Sequence, residues 1–257
     1  MNVQNADAQK KSLYMDTRNA LIVNAILTSV VRAKQNKKMD DVDAWEAYPK
    51  NRWIFNKLEI ALKLGHDAGP ACVPISKQGK YVIRPIYNLY GMGINAKVVN
   101  LNPKEDAENM KDYAIVEPGH FWCEYFKGDH FSVDYTKLPN FRWEPYNAIE
   151  GSVLDNNLRK FESWRRVPIP KHCEFLPSWI PTDVKDLNVE WRGKHIIEIH
   201  LRTGNDFMHN TGIGDIMYPV FKGSEKRSGE FVDNENPEGD YSASGMLSDV
   251  REGYVKG

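Results

Sequence analysis

Three side chains at alternate positions of one apolar run are placed to do chemistry together: Glu198, His200 and Arg202 in "HIIEIHLRTGND", residues 195–206. Alternation along a strand puts all three on one face. Ile196, Ile197, Ile199 and Leu201 supply the apolar residues that a sheet buries. Two same-face ligands at i and i+2, such as Glu198 and His200, suit the edge of a divalent-cation site. Mg²⁺ typically takes one or two carboxylates and fills its shell with waters and nucleotide phosphates. The preceding strand, "DLNVEWRG", turns at Gly193, so a hairpin brings Asp186, Asn188 or Glu190 alongside. The competing reading is a solvated sheet face that carries charges, and spacing alone does not decide between them.

Two further stretches carry chemical residue types. In "VIRPIYNLYGMG", 82–93, a strand that ends in a guanidinium runs into Gly91 and Gly93. Arg84 and free backbone N–H groups there suit phosphate oxygens. No GK[ST] follows, so this is not a P-loop, and a plain hairpin turn fits as well. In "FWCEYFKGDHFSVD", 121–134, an aromatic strand is followed by one with His130, Ser132 and Asp134 at alternate positions. A segment of this kind can hold adenine between apolar side chains, and it can equally be core.

These residues need elements to position them. Ile22, Ile26 and Val30 form a helix stripe, and the pattern predicts a helix from about Asp16 to Lys34. That stretch is too short to span a bilayer, and acidic residues precede it where a targeting signal would be basic. "KQNKKMDDVDAW" reads as a charged loop, followed by a second helix from Asn51 as N-cap to Lys63, stopped by Gly65. From about residue 71 the texture becomes that of strands, with "FKGDHF" as a tight hairpin between two of them. Leu158, Phe161 and Trp164 predict an inserted helix over 155–167. From about Gly223 the chain is Gly-, Ser- and acid-rich, a polar tail expected to be disordered or draped over the surface. The expected class is α+β with a mostly antiparallel sheet. The divisions are an N-terminal helical segment (1–50), a central domain (51–222) and a C-terminal tail (223–257).

Composition bounds the partners. The 257 residues carry 34 Lys plus Arg against 35 Asp plus Glu, a net charge of −1. That balance exerts no long-range pull on nucleic acid or anionic membrane, so neither partner is supported. Three cysteines, widely spaced and odd in number, argue against a disulfide framework or zinc knuckle. Reduced thiols in a cytoplasmic protein are the simpler expectation.

The order of the motifs carries a resemblance. Lys57 in "NKLEIALKLGHDAGPACVP", then "YVIRPIYNLYGMG", "FWCEYFKGDHFSVD" and "IIEIHLR" resemble successive blocks of the ATP-grasp ligases over residues 52–206. The resemblance implies two α+β lobes with mostly antiparallel sheets clasping a nucleotide cleft. It implies a carboxylate–amine ligase that uses ATP with Mg²⁺ or Mn²⁺ and works through an acyl phosphate on small-molecule or peptide substrates. Glu198 matches the family's metal-bridging glutamate, and His200 stands where an asparagine ligand is usual. Asp186 falls at the spacing of a further metal carboxylate, with Glu190 as the alternative. Arg84 stands for a phosphate-binding lysine, and Lys57 resembles an earlier lysine of the family. The glycine loop at Gly91 and Gly93 would cover the phosphates. Backbone at Glu124 and Phe126 would meet the adenine edge, and His130 the ribose. Arg202 matches an arginine that would stabilise the transferring phosphoryl group.

Departures are as informative. Arginine for lysine at 84 adds a planar fork. Histidine for asparagine at 200 swaps oxygen for nitrogen and favours Mn²⁺. The segment before Lys57 leaves no room for the family's N-terminal α/β domain; this compact form is similar to members carried by tailed bacteriophages. Two other readings stay open: a non-catalytic nucleotide-binding relic, and an ATP-dependent small-molecule kinase on the same fold.

Overall fold

The computed structural model describes residues 39–89, 93, 95–111, 115–139, 141–153, 161–204, 211–221, 228–233 and 251–257. The expected helix Asp16–Lys34, Gly91, and residues 154–160 lie outside this set. The chain divides into Met1–Lys38 and Met39–Gly257, and all the described residues belong to the second unit.

The charged stretch expected as a loop contains helix α1, Asp41–Ala47. Its start is fixed by a reciprocal cap: Asp43 N donates to Asp40 Oδ1 at 2.8 Å and Asp40 N to Asp43 Oδ2 at 3.2 Å. The single helix expected over 51–63 is broken in two. A 3₁₀ turn, Pro49–Phe55, is followed by α2, Lys57–Lys63. The break falls at Asn56, whose side chain accepts from Glu59 N at 3.0 Å and caps α2. Gly65, at φ +73°, ends α2 as expected.

Among the described residues twelve strands form two sheets, and every pairing described is antiparallel, so the fold is α+β with few helices. The smaller sheet has the order β1-β4-β2-β3, from β1 (Ala68–Pro70), β2 (Gly79–Pro85), β3 (Lys97–Leu101) and β4 (His120–Glu124). Helix α3, Pro103–Lys111, packs Met110 against Tyr81, Ile83 and Trp122 on one of its faces. Ala61 of α2 meets Phe121 and Cys123 in a separate cluster. The larger sheet runs β11-β12-β10-β7-β6-β5-β8-β9. Its strands are β5 (His130–Lys137), β6 (Trp143–Val153), β7 (Phe161–Arg166), β8 (Asp186–Arg192), β9 (His195–His200), β10 (Ile216–Phe221), β11 (Glu230–Asp233) and β12 (Arg251–Lys256).

Three expectations are corrected by this topology. β4 and β5 belong to different sheets, so the "KGD" segment links the sheets and is not a hairpin. Close approach explains the link: a Cβ on Gly128 would lie 2.8 Å from Gly193 Cα, and Gly193 N donates to Asp129 O at 2.8 Å. The helix expected over 155–167 is, over 161–166, strand β7. Phe161 and Trp164 lie on Gly151, where a Cβ would meet the Phe161 ring at 2.5 Å and Trp164 at 2.7 Å. Packing on a neighbouring strand overrides the helical spacing. Within the tail, β11 and β12 are paired strands of the large sheet, and Tyr254 and Val255 are buried.

One face of the large sheet is the core. Val133, Tyr135, Leu187, Val189, Ile196 and Ile199 pack with Ala44, Ile54, Phe55 and Ile60. Each fully buried aliphatic side chain stabilises by about 1.5–3 kcal/mol. A one-residue slip of register would turn the whole set outward. The apolar face therefore locks which side chains stand opposite one another on the other face.

Candidate functional site

That other face holds most of the residues singled out in the sequence. In the β8–β9 ladder Glu190 stands opposite Glu198 and Asn188 opposite His200. His200 Nε2 lies 3.6 Å from Glu190 Oε1 and 3.6 Å from Glu198 Oε1. Asp186 is further along β8, opposite Thr136, and its carboxylate sits 3.8 Å from the exposed Lys185. Of the two alternatives for a second carboxylate, the structure brings Glu190 to Glu198 and leaves Asp186 at the far end of the strand.

Cations reach this pair from the smaller sheet and its helix. Lys57, the first residue of α2, is buried and ion-paired with Glu198 Oε1. Its backbone N donates to Ile86 O at 2.9 Å, which fastens α2 to the end of β2. Arg84 on β2 donates from Nη2 to Ile197 O at 2.7 Å and places Nη1 3.8 Å from Glu198 Oε2. Arg84 and Lys57 thus hold both sheets to one carboxylate.

His200 and Arg202 share a partner that the sequence reading missed. Asp41, in the first turn of α1, is 3% exposed. Its two oxygens lie 3.0 Å from His200 Nδ1, and Arg202 reaches it with Nη2 and Nε, each at 2.8 Å. Burial alone would raise the Asp41 pKa, but the Arg202 and His200 charges hold it well below the usual carboxylate range. Burial alone would lower His200; the Asp41 carboxylate overcomes this and raises it to about 9. For Glu190, burial would again raise the carboxyl, and the His130 and His200 imidazoles hold it well below its ordinary value. Between Asp41 and Glu190 the His200 imidazole is thus favoured in its protonated form, and a metal ion there would compete with that proton. The available sequence signal was the Asp40–Asp43 cap, which marks a helix start inside the charged stretch.

His130 opens β5 and is buried, with Nε2 3.5 Å from Glu190 Oε2 and its ring edge-on to Phe161. On the linker leading to it, Phe126 stacks on His195 with centroids 4.0 Å apart and planes 8° from parallel. His66 meets the Phe126 ring at 4.6 Å; burial first, then the His195 charge, pushes its pKa down to about 4. Glu124 N donates to Asp67 O at 2.9 Å, and Asp67 N to Glu124 Oε1 at 3.0 Å. Gly93, at φ +55°, turns the chain with its carbonyl accepting from Ala96 N. Gly91, the other glycine of the expected lid, lies outside the described residues.

A second network supports the loop after β9. Asp134 Oδ1 accepts from Gly204 N at 2.6 Å and Asn188 Nδ2 at 2.9 Å, and Oδ2 accepts from Asn147 Nδ2 at 3.0 Å. The loop that starts with Arg202 is thereby anchored at Gly204.

Among the described residues no group of three or more His, Cys, Asp or Glu forms a metal cluster. A Mg²⁺ takes one or two carboxylates and leaves its other positions to water and phosphate; Glu190 and Glu198, opposite each other in register, are the carboxylates that would have to supply it.

No family model matches the sequence, and no curated protein matches it. The chain is distantly similar to several solved structures, each below a TM-score of 0.5. One is N5-carboxyaminoimidazole synthetase from Staphylococcus aureus complexed with ADP, at TM-score 0.47 and 9% identity over 79% of this chain and 67% of that one. Another is L-amino acid ligase from Bacillus licheniformis, at TM-score 0.43 and 10% identity over 80% of this chain and 66% of that one. A third is the ATP-grasp ligase PsnB complexed with minimal precursor, at TM-score 0.40 and 12% identity over 62% and 53%. The chain thus spans between 53% and 67% of these three structures' length. No helix among the described residues is long and apolar enough to cross a membrane.

Proposed function

We propose that this chain is an ATP-dependent ligase that joins a carboxylate to an amine through an acyl phosphate, on the ATP-grasp plan that its motif order resembles. One observation carries the reading: Lys57, Arg84 and His200, from different elements, converge on a face-paired Glu190 and Glu198 at the junction of the two sheets. Such a reaction must bring the nucleotide's phosphates and a substrate carboxylate together. The protein's part is positioning and charge neutralisation.

The substrate carboxylate oxygen forms a bond to the γ-phosphorus as the bond to the β–γ bridging oxygen breaks. ADP leaves and the acyl phosphate remains. The amine then attacks the acyl carbon, inorganic phosphate leaves with the C–O electron pair, and the amine proton is lost. Arg84 and Lys57 are assigned to the phosphates, which they meet by exchanging their hold on Glu198. His200 keeps a positive charge on the same face, and Arg202 is assigned to the transferring phosphoryl group. Phe126 and His195 offer ring faces to the base, and Glu124 anchors the linker that carries Phe126. His130 is assigned to the ribose side. Glu190 and Glu198 would hold Mg²⁺ or Mn²⁺, which neutralises charge on the β- and γ-phosphates when bound. Asp186 has no part in this assignment.

Calorimetry with millimolar ATP and Mg²⁺ tests the reading. We expect measurable heat and a raised melting temperature, since a ligand that binds only the native state stabilises it. Glu198→Gln should lose the metal-dependent part of both signals. Absence of heat and of any shift in the wild type would refute the proposal. Release of ADP and phosphate that requires both an acid and an amine separates a ligase from a kinase.

A further inference from the structure

We propose that Asp41 is a positioning residue, which fixes the Arg202 guanidinium so that it meets the terminal phosphoryl group and lets the site tell ATP from ADP. This rests on the nucleotide reading above. Asp41 belongs to neither sheet; it comes from the first turn of α1, outside the stretch whose motifs resemble a known family. Its contacts are those of a clamp. Both carboxylate oxygens are engaged, by Arg202 on one side and by His200 on the other.

Arg202 lies two residues beyond His200, the last residue of β9, where the strand has given way to an irregular loop. A long side chain there is a poor aiming device, since it loses several rotatable bonds on binding. One hydrogen bond, from Nη2 to Asp41 Oδ2 at 2.8 Å, and an ion-pair approach of Nε to Oδ1, also at 2.8 Å, hold the guanidinium against this carboxylate. Nη1 donates to Thr203 O at 3.0 Å, so the guanidinium is braced on its own loop as well. The loop is tied in turn through Gly204 N to Asp134. A carboxylate that served only as counter-charge would need the right charge and burial. One that aims the guanidinium must also have the right length.

Length is therefore the variable to test. Asp41→Glu keeps the charge and adds one methylene; Asp41→Asn keeps the shape and removes the charge. Dissociation constants for ATP and ADP, each with Mg²⁺, are measured by calorimetry on the full chain, with melting temperatures for both variants. We expect Asp41→Glu to weaken ATP about tenfold, the scale of one charge-assisted contact, with ADP affinity unchanged. Asp41→Asn should lose the same ATP preference and melt lower. A wild-type ATP-to-ADP ratio in Asp41→Glu would overturn the proposal and leave the nucleotide reading standing. Failure of both variants to fold would make the carboxylate a structural counter-charge and overturn it as well. A wild type that binds neither nucleotide would remove the reading on which it rests.

Discussion

Asp134→Ala is expected to destabilise the protein by about 4 kcal/mol, and the figure can be worked from the contacts. The Asp134 carboxylate is 6% exposed and accepts from three donors. Hydrogen bonds to a charged group are worth roughly 1.5–3 kcal/mol each, and a buried donor left unpaired costs about 1–3. Asn188 Nδ2 keeps a second partner, Ser132 Oγ at 2.8 Å, so its loss is partly covered. Gly204 N and the Asn147 amide have no such cover from Asp134's replacement. Two full losses and one partial loss, reduced because neighbours do not add, give the figure above. For a unit of this size that corresponds to a fall in melting temperature of roughly 8–16 °C. Urea unfolding should show a lower midpoint with an unchanged slope. Asp134→Asn should cost about half as much, since one amide oxygen still accepts. A loss below about 1 kcal/mol for Asp134→Ala would show that water satisfies the three donors and that the carboxylate does not hold the loop.

Two other outcomes are expected from the same geometry. His200 has its pKa raised to about 9 in the folded protein, so its contribution to stability is fully present below its unfolded value of about 6.5 and is lost as pH rises through 9. In chelator-containing buffer the wild-type melting temperature should fall across that window more than that of His200→Gln, and parallel curves would refute the assignment. Gly193 has φ +57°, and a Cβ there would lie 2.6 Å from Lys127 O, so Gly193→Ala should cost about 1–3 kcal/mol. A melting temperature equal to that of the wild type would show that the inter-sheet linker yields freely.

The strands were legible in the sequence wherever one face is buried and the other polar. "HFSVDYTK" and "HIIEIH" show that period, and they are β5 and β9. Glu198 and His200 could be placed on one face for the same reason. What the sequence did not disclose was pairing. Nothing local says that β4 and β5 part into different sheets, because the reason lies in two glycines 65 positions apart, Gly128 and Gly193, whose backbones nearly touch. Which of Asp186 and Glu190 stands opposite Glu198 likewise needed the ladder register, which a bulge beside Glu190 adjusts. Asp41 was hidden by its setting: in "DDVDAW" it looks like one more solvated acid, and only the fold shows that it is buried against a histidine and an arginine far along the chain.

The charges at this junction are too many to be explained by stability. Asp41, Glu190 and Glu198 face Lys57, Arg84, His200 and Arg202, and all seven are wholly or largely removed from water. Desolvating each ion costs several kcal/mol, and well-packed apolar residues commonly replace a buried ion pair at no loss. The opposite face of the same sheet shows that this chain can supply such residues, from Val133 through Ile199. With His200 protonated the cluster holds four positive groups against three carboxylates. Lys57 and Arg84 are held by an acid with which an incoming phosphate oxygen can compete. They share Glu198, so on the proposed reading release of that one carboxylate to a metal ion would free both for an anion. Arg202 and His200 share Asp41, which stays buried and keeps them in place. On that reading the two halves of the cluster divide the work: Glu198 would be the acid that exchanges partners, and Asp41 the acid that does not.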